Sequence, residues 1–226
     1  MRVLVIPDLH SPAIEPRSLD FVKSVQDYYQ TDRVVFVGDI VDSHQLSFHE
    51  SEPSAPSAVD EYEQAMAQLE PWFKHFPKAD FLIGNHDAIV HRRAFSAGLP
   101  ERFIKDIATL LCLPKKWKVT PRYGATQIDD VLYFHGEVGP QGQGIPAHRH
   151  ALQQMQSVVQ GHLHQSAGVI YSRTSRGKQI FGMQVGSLCD PDAINFSYSK
   201  KYAKGSPLGC GVVLDGEMAI FEAMPS

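Results

Sequence analysis

The feature that most constrains this chain is a series of short apolar runs, each ending in a cluster of polar residues. The runs are rich in Val, Ile and Phe and are predicted to be β-strands; they occupy residues 2–6, 33–37, 79–83, 131–134 and 157–160. Polar clusters follow all five: Asp8-x-His10, Gly38-Asp39 with Asp42, Gly84-Asn85-His86-Asp87, His135-Gly136 and Gly161-His162-x-His164. Because ligands of open α/β sheets bind outside the carboxyl ends of the strands, we expect these clusters to meet at one edge.

The pattern around these runs predicts the architecture. Helical spacing appears at residues 16–29, from Ser57 onward and at 101–111; Ser57 with Asp60 resembles a capping box, and Pro71 is expected to kink or end that helix. From Lys118 short strands predominate, predicted at residues 125–128, 131–134, 157–160, 169–173, 179–185, 211–214 and 217–222, with Asp215-Gly216 as a hairpin turn. This order predicts an α/β fold of two sheets packed face to face with helices outside. We expect one domain over residues 1–226.

The residue types at the strand ends indicate a metal site. Carboxylate, imidazole and amide groups together suit divalent cations such as Mn, Fe, Zn or Mg. A single block of this kind is most often a turn or a satisfied histidine, so the inference depends on the ordered set of five. The clusters offer seven candidate ligands. They are too many for one tetrahedral zinc with an open position, but they suit two cations that share a carboxylate. Such a pair, about 3.5–4 Å apart, clamps a phosphorus centre for in-line displacement.

The blocks resemble the calcineurin-like metallophosphoesterase superfamily, whose pattern is D-x-H, G-D-x-x-D, G-N-H-[DE], H and G-H-x-H. All five occur in order between Asp8 and His164. The resemblance implies a four-layer α/β/β/α sandwich of two mixed sheets with flanking helices. It also implies roles: Asp8, His10 and His164 would hold one metal, Asn85, His135 and His162 the other, Asp39 would bridge them, and His86 would be a catalytic histidine that is not a ligand, with Asp87 as its orienting partner.

The reaction implied by the resemblance is attack of a metal-held hydroxide on phosphorus, with inversion and no covalent intermediate. His86 would stabilise the developing charge or protonate the leaving oxygen. The implied cofactors are two divalent metal ions, with manganese favoured and Fe, Zn, Co, Ni and Mg as alternatives, because all accept N and O ligands. Asp42 either orients a ligand histidine or ends its turn.

Two details of the motifs bear on the substrate. The Ser/Thr protein phosphatase branch usually shows G-D-x-x-D-R and G-N-H-E, whereas this chain has Ser43 after Asp42 and Asp87 after His86. G-N-H-D is more similar to the phosphodiesterase and nucleotidase branches, so small phosphodiesters or nucleotides are the expected substrates. Residues 43–57, 88–114 and 137–150 are expected to shape the pocket. In the second of these, Arg92 and Arg93 either contact a substrate phosphate or lie on a solvated helix face.

Composition ranks the alternatives. A nuclease of the same fold would usually be basic, whereas this chain has a formal net charge of −4, so nucleic acid is not the favoured partner. A protein phosphatase is a further alternative, and a non-catalytic scaffold is the least favoured, because such relatives typically lose ligands and none is missing here. The three cysteines are far apart and form neither a disulfide framework nor a zinc motif. Without a signal-like start or an apolar run of transmembrane length, we expect a cytoplasmic protein with no membrane partner.

Overall fold

The computed structural model describes residues 1–48, 56–142, 144–190, 192–193 and 205–225. Its strands are β1 (Arg2–Ile6), β2 (Arg33–Phe36), β3 (Asp80–Leu82), β4 (Lys118–Thr120), β5 (Ala125–Ile128), β6 (Val131–Phe134), β7 (Ser157–Gln160), β8 (Ala167–Arg173), β9 (Gln179–Val185), β10 (Gly209–Leu214) and β11 (Met218–Ala223). Its helices are α1 (Ser18–Tyr29), α2 (Ala58–His75), α3 (Ile89–Ser96), α4 (Ile107–Leu110) and α5 (Pro146–Gln154), with 3₁₀ turns at His44–Leu46 and Glu101–Phe103. Of the segments expected to shape the pocket, residues 49–55 and 143 lie outside the described residues.

The strands form two mixed sheets. In the first sheet, β1 to β4 run parallel, and antiparallel β10 and β11 extend it in the order β11-β10-β1-β2-β3-β4. In the second, β6, β7 and β9 run parallel between antiparallel edge strands, in the order β5-β6-β7-β9-β8. Parallel neighbours end at the same edge of a sheet, so each sheet brings the residues that follow its parallel strands to one rim.

Buried side chains alternate between the two faces of a strand, and each face packs against a different layer of the fold. In β1, Val3 and Val5 belong to a buried cluster that joins the two sheets and includes Tyr133 and Phe181. Leu4, between them, belongs to a second cluster that includes residues of α1 and α2. A third cluster packs α5 against the outer face of the second sheet. Because successive side chains of a strand point to opposite faces, one apolar strand serves two layers. The predicted α/β/β/α sandwich is confirmed.

Of the two predictions made for the start and end of α2, one is confirmed and one is not. Ser57 and Asp60 form the predicted capping box at the start of α2. The prediction that Pro71 ends this helix is wrong, since α2 continues to His75. Trp72 and Phe76, on the far side of the proline, are buried in the core. Their burial offsets the cost of a proline in a helix interior, about 3 kcal/mol.

The segment predicted as one helix over residues 101–111 is instead divided. A 3₁₀ turn covers Glu101–Phe103, and α4 begins only at Ile107. The Asp106 carboxylate accepts a hydrogen bond from the Thr109 amide at 2.9 Å and so caps a new helix start. The Asp215-Gly216 hairpin is confirmed, with φ of 51° and 71° at its two residues. Among the described residues, no helix combines the length and apolarity that crossing a bilayer requires.

Candidate metal centre

The polar residues that follow the strands meet where the two sheets face each other. The first sheet supplies Asp8 and His10 after β1, Asp39 and Asp42 after β2, and Asn85, His86 and Asp87 after β3. The second sheet supplies His135 after β6 and His162 and His164 after β7. None of these residues is exposed. The seven candidate ligands therefore come together in space from positions far apart in the chain, while a metal-binding role for each stays a prediction.

One group of possible ligands consists of Asp8, His10 and His164. Their nearest ligand atoms all lie within 4.8 Å of one another. His164 Nε2 lies 2.9 Å from Asp8 Oδ2 and 3.2 Å from His10 Nε2. The backbone amide of His162 also donates to the Asp8 carboxylate, at 3.0 Å, which fixes the loop after β7 against the end of β1. This group matches the set implied for one metal.

A second group consists of Asp39, His135 and His162, whose ligand atoms also lie within 4.8 Å of one another. Asn85 joins it, since its Oδ1 lies 3.0 Å from His135 Nε2. Asp39 Oδ2 lies 3.3 Å from the same nitrogen of His135 and 3.8 Å from His10 Nε2 in the first group. A single carboxylate oxygen thus faces both groups, which is the position of a bridging ligand.

The ring contacts show that this donor set fits a cation. Neutral His10 carries its proton on Nδ1, which contacts Asp42 at 3.0 Å, so its Nε2 presents a lone pair to the cluster. His135 in its neutral form would likewise donate from Nδ1 to the Val37 carbonyl, 2.8 Å away, and its Nε2 lone pair would face the oxygens of Asn85 and Asp39. Acceptors this close repel one another unless a proton or a metal cation lies between them, so a metal can take the place of the His135 proton. Imidazole and oxygen donors held by such outer contacts suit divalent metal ions.

Neighbouring charges in the site shift the pKa values of its residues in the direction opposite to the effect of burial. Burial alone would lower the pKa of His135, but the Asp39 carboxylate raises it to about 10. Burial would raise the pKa of Asp39, but His135, His86 and His10 hold it well below its usual range. The buried carboxylates thus attract positive charge strongly enough to outweigh their own desolvation, which a bound metal would exploit in the same way.

These residues can be compared with known families. A family model described as calcineurin-like phosphoesterase matches residues 1–166, which is well over half of the 226-residue chain and contains all five blocks. The chain belongs to this family. Comparison with curated protein sequences finds no match.

Several solved structures resemble the chain at low identity. They include YfcE, a phosphoesterase from E. coli (17% identity, TM-score 0.46, covering 94% of this chain and 87% of that one). They also include the nuclease MPE from Pseudomonas putida (13%, 0.41, 97% and 86%) and Vacuolar Protein Sorting 29 from Cryptosporidium parvum (14%, 0.47, 100% and 98%). These likenesses are too distant to say what this family member does.

In this family member, the partner of His86 is Asp42. His86 Nδ1 lies 3.0 Å from an Asp42 carboxylate oxygen and 2.6 Å from the Asp42 carbonyl. The same carboxylate oxygen contacts His10 Nδ1, so Asp42 orients one candidate ligand and the candidate catalytic histidine together. Burial would lower the pKa of His86, but Asp39 and Asp42 raise it to about 9. Of the two readings of Asp42, the structure favours orientation of a histidine.

The contacts of Asp87 do not support the orienting role predicted for it, because among the described residues its carboxylate bonds to backbone amides and not to His86. Its carboxylate accepts hydrogen bonds from four buried backbone amides, those of Asp39 at 2.7 Å, Ile40 at 2.9 Å, Val41 at 3.3 Å and Gly84 at 2.8 Å. Asp87 therefore fixes the loop that carries Asp39. Adjacent residues in a turn direct their side chains differently, so the neighbour of His86 in the chain is not its neighbour in space.

Close approach explains the glycines of the motifs. A Cβ on Gly84 would lie 2.1 Å from Asp39 Oδ1, and a Cβ on Gly161 would lie 2.4 Å from Asp8 Oδ1. Neither distance is compatible with a side chain. His10, Asp39 and His162 also have left-handed backbone, with φ of 48°, 50° and 67°, which is uncommon for residues other than glycine and concentrates at functional sites.

A buried polar network supports the second group and was not predicted. Gln184 Nε2 donates to the carbonyl of Gly161 at 2.5 Å, directly before His162. The Oε1 of Gln184 accepts from Gln160 Nε2 at 3.2 Å, and Gln160 Oε1 faces His150 Nδ1 at 3.1 Å. The available signal was a glutamine within each of two apolar strands, where an unpaired amide would be costly.

The two arginines of α3 differ. Arg93 donates to the carbonyls of Leu46, at 2.6 Å, and Ser47, and its guanidinium lies 4.0 Å from the centre of the Phe48 ring. It therefore fixes the segment after Asp42, and these contacts do not support the substrate role predicted for it. Arg92 has no carboxylate partner within the described residues, so its prediction stays open.

Proposed function

We propose that this protein is a phosphoester hydrolase that uses two divalent metal ions. The observation that carries the proposal is the position of Asp39, whose Oδ2 faces His10 of one ligand group and His135 of the other. A carboxylate between two sets of N and O donors is suited to a pair of cations. Membership of the calcineurin-like phosphoesterase family supports the same chemistry.

The chain's own residues would position and assist the reaction. Bound cations would lower the pKa of a water molecule and offset the charge of the phosphate. Asp42 holds Nδ1 of His86, which leaves Nε2 as the ring atom available to a substrate oxygen. From there His86 would donate a hydrogen bond to the charge that develops on phosphate oxygens or on the leaving group. Asp87 would keep the Asp39 loop in place without touching the substrate.

We further propose small phosphodiesters or nucleotides as the substrates and manganese as the metal. The G-N-H-D sequence of residues 84–87 and the net charge of −4 support a small substrate over a protein or a nucleic acid. The donor set of nitrogen and oxygen atoms, without thiolates, supports manganese over softer metals. A single domain and a cytoplasmic location stay predictions that accompany this proposal.

The test is an activity panel on protein supplied with each metal in turn. The substrates are a nitrophenyl monoester, a bis-nitrophenyl diester, cyclic nucleotides and short DNA. We expect manganese-dependent turnover of diesters or nucleotides, and its loss in Asp39→Asn, whose metal-free form should melt at the same temperature as metal-free wild type. Asp20→Asn is the matched control, because Asp20 is exposed and pairs only with Lys23 among the described residues. Full activity of Asp39→Asn would exclude the bridging role.

The same panel separates the alternatives. Preferred cleavage of DNA, together with DNA binding that weakens steeply with salt in fluorescence anisotropy, would indicate a nuclease. Preferred hydrolysis of phosphopeptides, added as a further substrate, would indicate a protein phosphatase. Absence of turnover with every metal and substrate would favour a scaffold.

A further inference from the structure

A pocket lies where α3 meets the ends of β3 and β4, and its lining includes the residues directly before and after the block of residues 84–87. Its volume is about 530 Å³, which falls within the range of small-molecule sites, about 300–1,000 Å³. Its walls include Ile83 at the end of β3, Ala88 directly after Asp87, and Arg122 just beyond β4. The candidate metal centre shares the end of β3 with this pocket, and the pocket extends from there to the end of the neighbouring strand β4.

A contact links the pocket wall to the candidate metal centre. Arg122 lines the pocket, and its Nε donates to the Glu137 carboxylate at 2.8 Å. Glu137 follows His135 by two residues in the chain. The pair is half-buried and fixes the wall of the pocket against the loop that follows a candidate ligand. A phosphate held at the metal centre could therefore extend its organic group toward this pocket.

The lining is apolar and includes large exposed side chains. Ile104 and Ile107 lie at its wall, together with Phe48, Phe95 and Leu99. Phe95 is 85% exposed, Phe48 is 52% exposed and Leu99 is 51% exposed. Apolar side chains gathered in one exposed concavity are characteristic of a binding site, whereas scattered ones are ordinary.

Two polar groups in the lining are available to a ligand. Arg92 lies 5.3 Å from the centre of the Phe48 ring and has no carboxylate partner within the described residues. His91 Nδ1 is buried and has no hydrogen-bond partner in the part of the chain that the structure describes. Planar groups such as Phe95, Phe48 and the Arg92 guanidinium stack on aromatic ligands, and an unpaired imidazole nitrogen can bond a polar ring substituent.

We infer that this pocket binds a planar aromatic group of the phosphoester, either an aryl group or a nucleobase. The inference rests on the proposed function for the reaction, and it adds the class of substrate. It assigns Phe95 and Leu99 to substrate selection and Arg92 to stacking. Phosphoesters with only small alkyl groups leave the pocket empty and are poor substrates.

The test uses phosphorothiolate diesters that all release methanethiol, detected with a thiol reagent, and differ only in the second group, which is methyl, phenyl or 5′-thymidyl. Because the leaving group is constant, the ratio of kcat/KM values reports the second group alone. We expect the phenyl or thymidyl ester to exceed the methyl ester by about tenfold or more. A larger ratio for the thymidyl ester identifies a nucleobase, and a larger ratio for the phenyl ester identifies an aryl group.

Two phenylalanine variants test whether the preference for an aromatic ester arises in this pocket. Phe95→Ala should reduce the kcat/KM ratio of the aromatic ester to the methyl ester about threefold or more. Phe103→Ala is the matched control, since Phe103 is also an exposed phenylalanine, at 68%, and does not line the pocket. Equal ratios in wild type and Phe95→Ala would overturn the assignment.

A binding measurement keeps this inference separate from the proposed function. Calorimetry on metal-loaded protein compares phenylphosphonate with methylphosphonate, neither of which is hydrolysed. Tighter binding of phenylphosphonate that is lost in Phe95→Ala supports the pocket even if no ester is turned over, in which case the proposed function alone fails. Equal affinities overturn the pocket, and turnover of the methyl ester would then leave the proposed function intact.

Discussion

Replacing Asp87 by Asn distinguishes the two roles that can be assigned to this residue. In the structure, each carboxylate oxygen of Asp87 accepts two backbone amides: Oδ2 accepts those of Asp39 and Gly84, and Oδ1 those of Ile40 and Val41. Asparagine offers only one acceptor oxygen, so its NH₂ group must face two N–H donors. The substitution therefore removes two of the four bonds and introduces a clash of donors, with almost no change in shape.

The expected cost follows from this count. Each buried amide that loses its acceptor costs about 1–3 kcal/mol, so two cost about 2–6 kcal/mol. Burial and the nearby Asp39 carboxylate raise the pKa of Asp87 to about 7, and a neutral amide relieves that unfavourable charge. We therefore expect the lower part of the range, about 2–4 kcal/mol, which is a large fraction of the stability of an ordinary domain.

Urea unfolding at neutral pH measures this loss directly. We expect Asp87→Asn to unfold at a clearly lower urea concentration and to retain less metal after dialysis, because the loop that carries Asp39 loosens. Asp20→Asn, an exposed change of the same chemistry, should shift stability by less than about 0.5 kcal/mol. If Asp87→Asn matched wild type in unfolding and metal content but lost activity, Asp87 would act on His86 as its position in the motif suggests, and the assignment to the loop would be refuted.

Three further predictions concern other parts of the molecule. His86→Ala should keep both metal equivalents by elemental analysis and lose about 10²–10⁴ in kcat, and loss of a metal equivalent would make His86 a ligand. Phe36→Ala should cost about 3–5 kcal/mol in urea unfolding, because the buried Phe36 ring stacks on Trp117 at 4.5 Å between centroids; a cost under about 1 kcal/mol would contradict this packing. Manganese affinity, measured by competition with a chelator, should rise at least about tenfold per pH unit from 7 to 9, because the pKa of His135 is raised to about 10, the pKa of His164 is also raised, and their protons must leave before a metal binds. A flat profile would show that His135 is not a ligand.

Much of the fold follows from local pattern. The predicted bounds of β1, β6 and β7 equal the observed ones, because each is a short apolar run that ends at a proline or a polar residue. The meeting of the polar clusters follows from a rule about parallel strands and needs no knowledge of packing. Both inferences use information that lies within a few residues along the chain.

Other features depend on side-chain contacts that the local sequence pattern does not reveal. The helical spacing of residues 101–111 is genuine, but the Asp106 side chain competes for the backbone and divides the segment. The proline at position 71 lies between buried residues whose packing outweighs its local preference. The pocket beside α3 arises where three separate segments meet, so no single stretch of sequence marks it.

The division of candidate ligands between the two sheets couples activity to folding. Asp8, Asp39 and Asn85 belong to one sheet, and His135 and His162 belong to the other. A bound cation pair would therefore connect the two sheets. Removal of the cations with a chelator should lower the melting temperature as well as the rate of phosphoester hydrolysis. By the same route, a substitution at Val5 or Phe181, far from any substrate, could change the gap between the sheets and so appear in an assay as weakened metal affinity.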